Sequence, residues 1–281
     1  MESIRLPGLR IKTTYNRIKH NMKHGIIGFG NLARAVYMGL KEEDDIEFSY
    51  FARSSKNVDI KFYPKMEELV ANVDILWLTV KPQDLSTILE DLKKYNLSNK
   101  TIISPVAGRS VDFIEGYLGK NQLIIRIMPN LAMAYKSSVT AFYSNQPDNE
   151  KGEQVFNILG KLGKVVKLEE GAFDLFTSLF GSGPAFILAF IQIFKDKMKE
   201  FNLSGSLLDE LLLELTRGTT LYFLQNQKDY SIEQLIKNIT SKGGTTQAGL
   251  DYFRSHEIGK HFEGVLDAAR NRSEELSKNV G

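Results

Sequence analysis

The chain has 281 residues, 36 Lys and Arg against 34 Asp and Glu, and no cysteine. That length fits one large domain or two of ordinary size, and 42% hydrophobic with 25% charged residues fits a folded protein with a real core. A net charge of +2 gives no warrant for a nucleic-acid or polybasic membrane partner, and the missing cysteines exclude disulfides, thiolate-held metals and thiol nucleophiles.

Four histidines occur, His20, His24, His256 and His261, none in a metal-binding pattern such as H-E-x-x-H, so no metal is expected. Residues 1–21 have no clean period, and Met22 reads as a natural start; the stretch before it is expected to be a disordered extension. It carries Arg5, Arg10, Lys12, Arg17 and Lys19 but only Glu2, so the slight positive charge belongs to it and not to the rest. With no apolar core it is not a secretory signal. The most apolar stretch, Pro184–Phe194, would span only about 16 Å as a helix, half a bilayer core. The expectation is a cytoplasmic protein with no membrane partner.

From Met22 the pattern alternates. Gly25–Ile27 reads as a strand, Asn31–Lys41 as a helix with Leu32, Ala35, Val36 and Leu40 on one face, and Glu47–Phe51 as a second strand. Pro64–Asn72 is a short helix. Asp74–Val80 is a nearly continuous apolar strand, as in a parallel sheet covered on both faces. Helix Leu85–Tyr95, strand Thr101–Ser104, helix Ser110–Leu118 and strands Leu123–Met128 and Val139–Tyr143 follow. This alternation predicts a doubly wound, mostly parallel α/β sheet of Rossmann type.

The second half is helical apart from a strand at Val165–Leu168. Helices are expected at Glu150–Gly160, Ala172–Phe180, Pro184–Phe201, Leu207–Gln225, Ile232–Ile239, Thr246–Arg254 and Lys260–Ser277. Pro184 suits a first helical turn, and Ser231 with Gln234 forms a capping-box pattern. The polar link Gln146–Asn149 places a boundary between residues 22–147 and 148–281.

Gly28-Phe29-Gly30-Asn31-Leu32-Ala33 is Gly-x-Gly-x-x-Ala between a strand and a helix. Gly28 allows the tight turn, Gly30 lets backbone approach a pyrophosphate, and Ala33 permits close helix–strand packing. The phosphates would sit on the N–H groups of the helix start, at Phe29, Gly30, Asn31 and Leu32. The next strand ends in Arg53-Ser54 with no carboxylate to hold a ribose 2′-hydroxyl. Arg53 and Ser54 suit a 2′-phosphate, so NADPH is preferred, with NADH as the alternative; a solvent-facing Arg53 is the bland reading. Val80-Lys81-Pro82 and Ala107-Gly108 close later strands, where a dinucleotide lies; Lys81 is equally read as a surface lysine. In the helical half, Ser241-Lys242-Gly243-Gly244-Thr245-Thr246 offers consecutive N–H groups and hydroxyls at a helix start. That is a seat for a small carboxylate, or an ordinary helix-starting turn.

Taken in order, Gly28–Ala33, Val80-Lys81-Pro82-Gln83, Ala107-Gly108, Arg126-Ile127-Met128-Pro129-Asn130, Gly181–Ala185, Gly243–Leu250 and Asp267–Leu276 resemble the pyrroline-5-carboxylate reductase family over Met22 to Leu276. The resemblance implies reduction of the cyclic imine 1-pyrroline-5-carboxylate to L-proline by NADPH. It implies a Rossmann domain followed by an all-α dimerisation domain, and a homodimer or larger ring of dimers whose sites use both subunits. It implies that Pro129 and Asn130 belong to the cofactor site and that Ser241, Gly243, Gly244, Thr245 and Thr246 hold the substrate carboxylate with Asn238 close by. Thr246 is implied to contact the ring nitrogen, as the catalytic group. Hydride attack on a C=N carbon needs positioning and one proton, and no thiol or metal. Lys242 stands where the family usually has proline, Pro105 is atypical, and Lys197–Phe201 replaces a small-residue segment. These departures keep two alternatives in view: a reductase for another imine or keto acid, and a non-catalytic nucleotide-binding paralogue.

Overall fold

A strand as apolar as Ile75–Leu78 has no polar side to show to water, so it needs cover on both faces. In the structure, a computed structural model that describes residues 22–278, this run lies inside one eight-stranded sheet. The first half runs β1 (Met22–Ile27), α1 (Asn31–Leu40), β2 (Ile46–Phe51), β3 (Lys61–Phe62), α2 (Met66–Asn72), β4 (Ile75–Leu78), α3 (Leu85–Leu92), β5 (Thr101–Ser104), α4 (Val111–Leu118) and β6 (Leu123–Met128). Then come β7 (Ser138–Ser144), α5 (Glu150–Gly160) and β8 (Gly163–Lys167). The strand order is β3-β2-β1-β4-β5-β6-β7-β8, parallel throughout except for the antiparallel β6–β7 pair.

Alternate residues of β4 feed two cores, because successive side chains of a strand point to opposite faces. Ile75 and Trp77 join Ala33, Val36 and Leu40 of α1 and Val155 and Leu159 of α5. Leu76 and Leu78 join Leu69 of α2, Leu85 and Leu89 of α3 and Ile114 of α4. Within the first core the indole N–H of Trp77 donates to Nδ1 of the fully buried His24 at 3.0 Å. Burial pushes the His24 pKa down to about 4, against the smaller opposing pull of Asp74 and Asp45.

The sheet continues past the boundary expected after residue 147. The polar Gln146–Asn149 stretch is only the loop between β7 and α5, and Asn149 caps α5 by accepting from the Lys151 N–H. β8 then pairs along β7 at the sheet edge. Residues 150–167 therefore belong with the sheet. The two-residue β3 has too little pattern to show in a sequence.

The helical remainder comprises α6 (Phe173–Phe176), a π-helical turn at Thr177–Gly181, α7 (Gly183–Met198), α8 (Gly205–Asn226), α9 (Ile232–Ile239), α10 (Thr245–Ser255) and α11 (Ile258–Lys278). The predicted capping box at Ser231 and Gln234 forms in full. α7 packs on α8, and Phe190 of α7 meets Phe262 of α11 ring to ring at 4.9 Å. Much apolar surface stays outside: Ile187, Leu188 and Ile193 of α7 and Leu213 of α8 are each more than 60% exposed. The helical run Glu170–Phe201 is 32 residues, long and apolar enough by length and composition to cross a membrane. The 11-residue limit read from the sequence missed this, because the turns through residues 170–183 join the apolar stretch into one run.

Candidate active site

Gly28 leaves β1 with φ +84, a left-handed conformation that favours glycine. A Cβ there would stand 2.9 Å from Val80 Cγ1 and 3.0 Å from the Thr79 carbonyl oxygen. The Thr79 hydroxyl donates to the Gly28 carbonyl at 2.7 Å, a pin on the turn that the motif alone does not reveal. Gly30 caps α1 in extended backbone with no side chain on the helix N–H groups, and a Cβ there would meet nothing within 4 Å. The N-terminus of α1 is thus open, with its first amides available to an anion. Phe29 is buried against Tyr50, so only its backbone is at the turn, and Ala33 is fully buried where the helix meets the sheet. Asn31 is exposed and Leu32 half-buried at the same helix start.

At the end of β2 the Arg53 side chain is 90% exposed and touches Asp84 at 3.4 Å. Exposed pairs of that kind contribute little. Ser54 accepts from Lys56 Nζ at 3.2 Å. The Lys56 N–H donates to the Tyr50 hydroxyl at 2.7 Å, which ties this loop to the core. Arg53, Ser54 and Lys56 form one basic, hydroxyl-bearing cluster. Lys56 escaped the sequence reading, which stopped at the strand end; its only signal was a third basic or polar side chain in the same loop.

Val80 and Lys81 follow β4, and Lys81, itself exposed, caps the short 3-10 turn Pro82–Asp84. The Ala107-Gly108 loop follows β5. Gly108 has φ +66, and a Cβ there would stand 2.5 Å from Leu276 Cβ of α11. Pro129 is buried beyond β6, while the Asn130 side chain accepts from the Ala132 N–H at 3.0 Å and donates to the Phe180 carbonyl at 2.9 Å. Asn130 therefore ties the sheet to the turn before Gly181-Ser182-Gly183-Pro184. These loops share the carboxyl edge of the sheet, where α/β folds bind dinucleotides.

Ser241–Thr246 is arranged differently. The Gly244 N–H closes a turn on the Ser241 carbonyl at 3.0 Å, Gly243 has φ +71, and Gly244 caps α10 with no side chain on its amides. α10 packs on α11, and Asn238, Ser241, Gly243, Thr245 and Thr246 are exposed, with Gly244 half-buried. Among the described residues nothing buries this loop, and they do not close a pocket around it. Among the described residues no group of three or more His, Asp or Glu side chains is placed to hold a metal ion.

Residues 170–276 match the family model for pyrroline-5-carboxylate reductase dimerisation, and residues 23–108 match that for NADP oxidoreductase, coenzyme F420-dependent. The pyrroline-5-carboxylate reductase of Staphylococcus epidermidis is 32% identical over 268 residues, 91% of this chain and 98% of that protein. The chain belongs to the pyrroline-5-carboxylate reductase family. Among solved members, the Plasmodium falciparum enzyme with NADP bound superposes with a TM-score of 0.86 at 27% identity, over 92% of this chain and 99% of that one. The Streptococcus pyogenes reductase gives 0.80 at 28% identity, over 90% and 98%. Family membership fits the Rossmann-type sheet followed by a helical half.

Proposed function

We propose that this chain reduces 1-pyrroline-5-carboxylate to L-proline with NADPH. One observation carries the reading: an open α1 N-terminus with room above Gly30 and the Arg53-Ser54-Lys56 cluster stand on a chain that also presents an uncapped glycine loop at α10. The residues fit the cofactor: Phe29, Gly30, Asn31 and Leu32 offer backbone to the pyrophosphate, Arg53, Ser54 and Lys56 hold the 2′-phosphate, and Val80, Lys81, Pro82, Ala107, Gly108, Pro129 and Asn130 line its path. When bound, the cofactor supplies a hydride to the C=N carbon, leaving the electron pair of the π bond on nitrogen, which must gain one proton.

The chain's own part is placement and proton supply. The amides of Gly243, Gly244 and Thr245 and the Ser241 hydroxyl grip the carboxylate, with Asn238 beside them. That fixes the imine carbon for attack. The Thr246 hydroxyl donates to the ring nitrogen and relays the proton. Because the α10 loop is exposed, a second copy completes the pocket. The assembly is a homodimer or a ring of dimers, built on the apolar faces of α7 and α8. The same partner, rather than a bilayer, covers the Glu170–Phe201 run: Lys195, Lys197, Lys199, Asp196 and Glu200 crowd its last turns in ion pairs, as suits a protein in the cytoplasm.

The test is NADPH oxidation by the purified full chain, with and without pyrroline-5-carboxylate, with light scattering for mass. Oxidation that requires the imine, by an oligomer, supports the assignment. A protein that binds NADPH but reduces no imine, or that prefers a different imine, removes it.

A further inference from the structure

Arg126 lies on β6 in register with Ser104, the last residue of β5, from which the Ala107-Gly108 loop departs. Its side chain is nearly buried, stacked with Cζ 4.6 Å from the Phe173 ring centre, and its Nη1 donates to Glu170 Oε1 at 2.8 Å. The same Oε1 accepts the backbone N–H of Val111 at 2.7 Å. Val111 is the first residue of α4, three positions after Gly108. One oxygen thus joins β6, the far side of the Gly108 loop and the start of the helical half. A carboxylate is well placed there, because the α4 N-terminus favours negative charge and Arg126 completes its neutralisation.

The near side of the loop is held as well. Gly108 abuts Leu276, and the last turns of α11 are anchored where Ser273 Oγ donates to Asp174 Oδ1 at 2.5 Å. In this strand order a bound dinucleotide would lie with its adenosine over β2 and its phosphates at α1, which would put the β5 loop at the nicotinamide end.

We propose that Glu170, held by Arg126, is a positioning residue for hydride transfer: it fixes the Ala107–Ser110 loop against the nicotinamide and couples that loop to the helical half. The inference rests on the reductase reading above. Glu170 touches neither substrate nor the phosphate sites, so it acts on the geometry of transfer and not on the grip of the cofactor's phosphates. The carboxylate is at the first residue of the stretch matched by the dimerisation model. That places the joint where assembly of the helical half is felt.

The experiment uses the full-length oligomer and compares wild type with Glu170→Ala and Glu170→Gln. It measures kcat, KM, the NADPH Kd by fluorescence, and the primary deuterium isotope effect on kcat with NADPH labelled at the transferred position. Losing a charge-assisted contact that shapes the transition state lowers kcat by about tenfold, or ~1.4 kcal/mol. The expected Glu170→Ala result is that loss with a larger isotope effect and an NADPH Kd within about twofold of wild type, since the phosphate contacts are untouched. Glu170→Gln keeps an oxygen for the Val111 N–H but takes the countercharge from nearly buried Arg126, so it should regain only part of the rate. If Glu170→Ala does not fold, Glu170→Asp takes its place, withdrawing the oxygen by about one carbon–carbon bond, ~1.5 Å, with the charge kept. An unchanged kcat overturns the proposal, and so does a fall in kcat with an unchanged isotope effect, which reports only fewer active molecules. A wild-type protein that reduces no imine defeats the reductase reading instead.

Discussion

His24 makes the fold's pH dependence calculable. The ring is fully buried, its Nδ1 accepts from Trp77, and its pKa is lowered to about 4 from an ordinary 6.5. Because the folded value is depressed, the unfolded chain binds the extra proton between those two pH values, and stability falls as pH falls through that window. Above pH 6.5 the contribution is fully present; below pH 4 it is gone. The whole shift corresponds to about 3 kcal/mol, and the step from pH 7 to pH 5 to about 2 kcal/mol, before other groups add their own slopes. His24→Asn keeps an acceptor for the Trp77 indole N–H and removes the titration. Urea unfolding at pH 7 and pH 5, at one protein concentration, should show the wild type losing about 2 kcal/mol more than the variant over that step. The variant starts lower at both pH values because of the void it leaves, so the difference of slopes is the readout. Equal slopes would refute the reasoning and mean that buried His24 carries no such linkage.

Other expectations follow from the site. Thr246→Ala should lower kcat by about 10²-fold or more, the usual worth of a placed proton donor, with little change in NADPH Kd; full turnover would take Thr246 out of the mechanism. Removing Arg53 or Lys56 by alanine should weaken NADPH binding about tenfold or more while leaving NADH nearly unaffected, as measured by paired titrations. Gly28→Ala puts a Cβ 2.9 Å from Val80 at φ +84, so NADPH binding should be lost while far-ultraviolet circular dichroism keeps its native form. Leu188→Asp, on the exposed face of α7, should yield a monomer by light scattering; an unchanged oligomer would move the interface elsewhere.

The sheet was largely legible because its signals are local. β5, β6, α5 and α9 fall where periodicity places them, and Gly28–Ala33 folds as a strand–turn–helix in which Gly28 makes the expected tight turn. The boundary was misread because Gln146-Pro147-Asp148-Asn149 has a linker's composition, while the reason it is a loop is distant. β8 must pair with β7 to cover the sheet edge, and no property of residues 146–149 encodes that. The membrane-length run was hidden for a related reason, since helical turns through Thr177–Gly181 bridge a glycine stretch that reads as a break. Thr79 and Glu170 were silent because each acts on a residue far away in sequence: Thr79 bonds Gly28 across 51 positions, and Glu170 bonds Arg126, read only as part of a motif, across 44. The candidate substrate loop was legible as a helix start. Its exposure was not, because burial depends on which distant elements pack over a loop and not on the loop's own residues.

The contact between Gly108 and Leu276 bears on how the protein is made. Synthesis runs from the N-terminus, and the sheet of residues 22–167 can form as it emerges, since its two cores draw on those residues alone. The loop after β5 cannot settle then, because the helix turn that seats it is 168 residues downstream and among the last described. A nascent chain would therefore complete the Gly28–Ala33 turn long before the seat of the Gly108 loop exists.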